Sequence, residues 1–251
     1  MQHQPEFLLP IGSPALDFFR KRSWVRRARR PGAVHATNTL ATQPVNTSEH
    51  ASFFLPGAVH LFGNLLLTVQ GNVLHAGGED PSSAQDAVLE AVKRGTGCLN
   101  VLRALMGENS SEPGLAAGLL EELAELGRVA CRERGLLLEV DCREAEHFWV
   151  TSNPFVDLCG AAVHRWVQAI PAGTEGTLQV ACALDPAGSL NVHLSFAADP
   201  GSLPFPLTAS EILAALQPAL DAASIAVSAS SGGDHTELSF PPHAPGLSFQ
   251  P

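Results

Sequence analysis

The heptapeptide HLFGNLL, from His60 to Leu66, holds the residues of this 251-residue chain best placed for chemistry, a plain surface histidine being the alternative reading of the same spacing. A histidine and an asparagine four apart share one face of a helix, where the amide can orient the imidazole and leave one ring nitrogen as a nucleophile or metal ligand. That chemistry needs a ring standing in solvent. Val59, Phe62, Leu66, Val69 and Val73 recur at spacings of 3, 4, 3 and 4 and predict an a/d seam. With Val59 at position a, His60 falls at b, on the flank of the packed helix. His147, His164, His193 and His235 lie singly on elements without metal-ligand spacing, so no metal site is expected. G-x-S-x-G, P-loop and H-E-x-x-H patterns are absent. Asp86, Glu90 and Arg94, at steps of four, read as a solvated helix face, and Trp149 and Trp166 as core or subunit contacts.

The elements that position HLFGNLL start near Ala51. Gly77 to Pro81 break the first helix, and Ser82 or Ser83 can cap a second, whose Val88, Val92, Gly95, Leu99, Leu102 and Met106 repeat at 4, 3, 4, 3 and 4. Two such helices form an antiparallel hairpin. Leu65, Leu67 and Leu74 widen the first stripe beyond one seam, and self-association into a four-helix bundle would cover it. The expected dimer interface is Val59, Phe62, Leu66, Val69 and Val73 with Val88, Val92, Leu99 and Leu102. Asn109 to Gly114 has the composition of a linker. Beyond it the pattern predicts a helix from Leu115 ending near Gly135, strands at 136–140 and 148–150, and a helix at 155–170. Strands at 177–183 and 190–196, a helix at 209–222 and strands at 224–228 and 236–240 follow. The fold class is therefore α+β: a helical hairpin, residues 51–110, followed by an α/β sandwich, residues 111–251, with helices on one face of a sheet.

Residues 1–50 form a third segment, a mobile arm with the basic run RKRSWVRRARR at 20–30. A solvated tail, a patch for acidic lipid, nucleic acid or a partner, and a transit-peptide-like leader are its alternatives. The arm holds three acids and seven Lys or Arg, leaving 22 acids against 8 bases, a net of −14, in the remainder. That balance disfavours nucleic-acid binding by the body, because phosphate contacts need clustered cations. Five cysteines with no C-x-x-C pair suit buried, reduced thiols and a cytoplasmic setting. No apolar run is expected to approach the roughly 18 residues of a bilayer span.

On HLFGNLL the chain resembles the two-component sensor histidine kinases. Their dimerising hairpin carries a phosphoacceptor His, an acid, two further residues, then Asn or Thr and Pro or Leu. His60, Asn64, Leu65 and Leu66 match this pattern, whereas Leu61 stands where the acid belongs. LLEELAELGRVACRERGLLLEV looks like the helix and first strand of the family's ATP-binding domain, and GGDHTELSFP like its last strand pair, so the resemblance covers about residues 55–242. It implies His60 and Asn64 as catalytic residues and Leu61, Gly63 and Leu67 as contacts for a response-regulator receiver domain. The family's paired asparagines, which reach phosphate and Mg²⁺, align with Ala161 and Arg165. Its adenine-binding Asp-x-Gly-x-Gly leaves at most Asp199, Pro200 and Gly201, and its second glycine pair falls in the glycine-free TASEILAAL. No ATP binding and no resident cofactor are expected, with Mg²⁺ arriving on the regulator. The resemblance implies a cytoplasmic, homodimeric histidine phosphotransferase with a degenerate ATPase domain. Its alternative is a non-catalytic scaffold that binds or sequesters a regulator.

Overall fold

A computed structural model describes residues 47–75, 81–108, 112–200, 208–223, 227–232 and 235–241. The basic run at 20–30, the Gly77 to Asp80 break and Gly201 lie outside them. Helix α1, Thr47–His75, and helix α2, Pro81–Leu105, form the hairpin. The short strand β1, Pro113–Leu115, leads into α3, Ala116–Glu133, and β2, Leu136–Asp141. A single 3-10 turn, β3 at Trp149–Thr151 and α4 at Ser152–Ala169 follow. The chain continues through β4, Gly176–Leu184, β5, Leu190–Ala198, α5, Ala209–Ala222, β6, Ser228–Gly232, and β7, His235–Phe240. Five strands make one sheet in the order β2-β4-β5-β7-β6, with β2 and β4 parallel and the other pairs antiparallel. β1 and β3 pair as a separate antiparallel ribbon.

Alternation along the strands sets the two faces of the sheet. Leu178, Val180 and Cys182 on β4, Leu190, Val192 and Leu194 on β5 and Leu238 and Phe240 on β7 are buried. They meet the helices, where Trp166 of α4 donates its indole N–H to Thr236 Oγ1 at 2.9 Å. A Thr208 side chain and a Glu211 carboxylate close a reciprocal capping box at the start of α5. The intervening strand residues, among them Asn191, His193 and Glu237, face away from the helices and are only half-buried. All five cysteines are buried free thiols. Burial pushes the Cys98 thiol up to about 11 and the Cys131 thiol up to about 12, far from the thiolate that reacts.

The hairpin is packed against the sandwich. Phe54, Ala58 and Leu61 of α1 are buried in the same core as Leu105, Leu123, Leu126 and Phe155. Gly57 allows the approach, because a Cβ at that position would stand 1.8 Å from the Leu126 carbonyl oxygen of α3. At the N-terminal end of α1, buried His50 places Nε2 2.8 Å from Asp157 Oδ1 on α4, and the Phe53 ring lies 5.2 Å from that of His164.

Helix α1 departs from its expected phase. The face turned to the protein interior runs through Ala51, Phe54, Ala58 and Leu61, while Val59 is 73% exposed and Leu66 69%. The helix is apolar on several sides, and the close approach falls to the side carrying small residues, Ala51, Gly57 and Ala58. Phe54 and Leu61 fill the core beside them, while Val59, Leu66, Leu67 and Leu74 remain outside. α1 also corrects the expectation about apolar length: His50–Leu74 is 25 residues and holds an 18-residue window with a mean hydropathy of 1.5, long and apolar enough by length and composition to cross a bilayer. A polar stripe crosses that segment at steps of four, through His60, Asn64, Thr68 and Asn72.

Candidate functional site

The polar stripe on α1 carries the site. His60 and Asn64 are both exposed, and the Asn64 Nδ2 lies 3.1 Å from His60 Nε2. In the tautomer protonated at Nδ1, the amide N–H donates to the Nε2 lone pair and holds the ring in one orientation. The stripe continues by backbone anchoring: Thr68 Oγ1 donates to the Asn64 carbonyl at 3.0 Å, and Asn72 Nδ2 donates to the Thr68 carbonyl at 2.8 Å. These contacts use the i,i+4 geometry of a helix and keep the flank polar beside an apolar neighbour strip. Thr68 and Asn72 extend the stripe beyond the motif in the sequence, and their successive steps of four from Asn64 are the signal for them.

The residues expected around His60 divide. Gly63 and Leu67 are exposed near it. Leu61 is not: it is 8% exposed and belongs to the core, so it is corrected from a partner contact to a packing residue. One step along a helix turns a side chain by about 100°, enough to carry position 61 from the flank to the interior. A carboxylate at 61 would be buried in apolar surroundings in this arrangement, which accounts for leucine at that position.

The expected dimer residues divide too. Val59, Leu66 and Val73 on α1 and Val92 and Leu99 on α2 are exposed, joined by Leu55, Leu67, Leu74, Leu89 and Met106. Phe62, Val69, Val88 and Leu102 are half-buried. Phe62 and Leu65 lie over Gly95 of α2, so part of the seam closes within the hairpin itself. Asp86, Glu90 and Arg94 are all exposed, as expected of a solvated face, and Arg94 also pairs with Glu125 of α3.

Ala161 is wholly buried and Arg165 is 9% exposed, both inside α4 and turned into the protein. Thr208 to Leu216 form the cap and first turns of α5. A separate open cleft of about 610 Å³ lies between α2, α3 and the β1–β3 ribbon, lined by Asn100, Arg103, Glu122 and Trp149 among others. Burial, then the neighbouring Glu125 and Glu121, pushes the Glu122 carboxyl up to about 7.

The sheet brings together residues that look solitary in the sequence. His193, His235 and Glu237 offer ligand atoms all within 4.8 Å of one another. The expectation that these histidines stand singly is thereby corrected, because β5 and β7 pair with His193 opposite Glu237. The i,i+2 spacing of His235 and Glu237 on a strand was the legible half of that signal.

No family profile and no curated protein matches the sequence. Among solved structures, the chain is similar to the histidine kinase AdeS of Acinetobacter baumannii, at 11% identity and a TM-score of 0.38, covering 73% of this chain and 98% of that one. It is also similar to a bacterial phosphotransferase, at 13% identity and a TM-score of 0.34, covering 78% and 98%. A histidine kinase from Burkholderia phymatum STM815 is similar at 17% identity and a TM-score of 0.34, covering 77% and 95%.

Proposed function

We propose that this chain is a histidine phosphotransferase of two-component signalling, cytoplasmic and dimeric through its hairpin, that passes phosphoryl groups to or from a response regulator without binding ATP. The observation that carries the reading is the exposed His60 ring held by Asn64 at 3.1 Å. A receiver domain supplies an acyl phosphate together with its Mg²⁺. The Asn64 amide swings from Nε2 toward a phosphoryl oxygen, and the neutral Nε2 lone pair attacks phosphorus in line. The N–P bond forms as the P–O bond to the regulator's carboxylate breaks, leaving a phosphoramidate on a ring still protonated at Nδ1. The exposed Gly63 and Leu67 give the regulator a small and an apolar contact beside the ring.

Two features support relay rather than ATP-dependent autophosphorylation. Ala161 and Arg165 offer no amide oxygen for Mg²⁺, and both are buried. The sandwich is also fixed to the hairpin through Phe54, Ala58 and Leu61, which leaves its helices occupied in packing. The exposed strip of Val59, Leu66 and Val73 with Val92 and Leu99 supports pairing of two hairpins.

The buried Leu61 favours a second reading, a scaffold that binds or sequesters a regulator without chemistry, because an acid beside the acceptor would aid proton transfer. Incubation with phosphorylated regulators separates the two. Relay predicts acid-labile, base-stable label on the wild type, abolished by His60→Gln with regulator binding retained. Equal binding with and without His60, and label on neither, establishes the scaffold.

A further inference from the structure

On the face of the sheet turned away from the helices, β5 and β7 set three metal-ligating side chains side by side. We propose that His193, His235 and Glu237 form a binding site for a divalent first-row transition ion of the zinc class.

The register creates the site. Residues i and i+2 of a strand point to the same side, so His235 and Glu237 share that face, and antiparallel pairing sets His193 directly across from Glu237. His193 Nδ1 lies 3.6 Å from Glu237 Oε2, and the two imidazole rings are 5.7 Å apart. With all three ligand atoms within 4.8 Å of one another, rotation of the side chains closes them on one ion. Bonds of about 2.1 Å in tetrahedral array set ligand atoms roughly 3.4 Å apart. Two imidazoles and one carboxylate suit zinc, cobalt or nickel, whereas magnesium and calcium prefer oxygen ligands alone. Three protein ligands leave the fourth position to water or to an exogenous ligand.

The neighbouring strand shapes the pocket around His235. Its cross-strand partner on β6 is Gly232, and a Cβ there would stand 2.7 Å from His235 Cε1 and 3.0 Å from Nε2. Glycine thus makes room for the ring. On the same face, two residues before His193, the Asn191 Oδ1 is buried without a hydrogen-bond partner among the described residues. The site is independent of His60, which sits on α1.

The test uses the full chain and Co²⁺ as a visible probe, competed with Zn²⁺. The expected result is a set of four-coordinate d–d bands saturating at one ion per chain and bleached by Zn²⁺. His193→Gln, His235→Gln and Glu237→Gln should each weaken Co²⁺ binding at least tenfold. The side chains of His193 and Glu237 are 31% and 26% exposed, so a metal-free melting curve of each variant separates lost ligation from lost packing. Gly232→Ala removes no ligand yet tips the His235 ring, and should weaken binding by the 10-fold to 100-fold typical of lost support around a metal site. Absence of the bands in wild type overturns the proposal. So does binding that survives all three ligand substitutions, which would place the ion on another histidine or on a thiol.

Discussion

Gly57→Ala is expected to prise the hairpin from the sandwich, although alanine is the better helix former. The added Cβ would lie 1.8 Å from the Leu126 carbonyl oxygen, 2.6 Å from its carbon and 2.8 Å from its Cα. Ordinary contact starts near 3.4 Å, so α1 has to retreat by about 1.5 Å. The obstacle is backbone and cannot rotate away. Overpacking of this kind costs about 1–3 kcal/mol, and a gap of even ~1 Å forfeits up to half the dispersion energy of the contacts it opens, here those around Phe54, Ala58 and Leu61. The gain in helix propensity offsets about 1 kcal/mol. Gly71→Ala on the same helix is the matched control, because nothing lies within 4 Å of its Cβ. It should keep the propensity gain alone. Urea denaturation followed by circular dichroism would then rank Gly57→Ala below wild type and Gly71→Ala at or above it, about 2–3 kcal/mol apart. Two variants of equal stability would refute the close approach of α1 and α3.

Leu66→Glu puts a charge on the exposed strip of α1 and should convert the proposed dimer to monomer in sedimentation at micromolar concentration, with the monomer's melt almost unchanged. A wild type that is monomeric at that concentration removes the bundle. Millimolar Mg·ATP should leave the melting temperature where it is, whereas a ligand at 100 times its dissociation constant would add about 2.7 kcal/mol. Glu122, pushed up to about 7 by burial, holds its proton longer in the folded than in the unfolded chain. Its contribution is complete below about 4.5 and is lost as pH rises through about 7, so stability should fall across that window, and Glu122→Gln should flatten the slope.

The sandwich was more legible than the hairpin's orientation, and the reason lies in the local signals. Gly135, with φ of 81°, ends α3 where the apolar period stops, and Pro171 follows the end of α4, so both helices are bounded in the sequence. The β1–β3 ribbon was half missed, because Pro113–Leu115 is three residues in a stretch of linker composition and pairs only through a distant partner. β6 runs Ser228–Gly232, at the end of the stretch expected as a strand at 224–228, of which 224–226 lie outside the described residues: SASSG is weak in strand formers and is held by β7. Existence of α1 was plain from its apolar period, yet its phase was not. A helix apolar on several sides offers more than one seam, and the choice was made by Gly57 meeting Leu126, a contact across 69 residues that no window along the chain can contain. His60 and Asn64 were legible because their relation is local, one helical turn. His193 and Glu237 were not, because strand register joins them.

The shared core of hairpin and sandwich has a consequence for genetics. Phe54, Ala58 and Leu61 lie among sandwich residues on the turns flanking His60, so the helix that carries His60 and the sheet domain should lose structure in one cooperative step. Under the proposed relay function, a screen for lost signalling would then return many substitutions in α3 and α4 that touch neither the imidazole nor any regulator and merely lower the amount of folded chain. Scoring each isolate for abundance as well as output would sort them, and the rare class with normal abundance and no output would trace the working surface of α1.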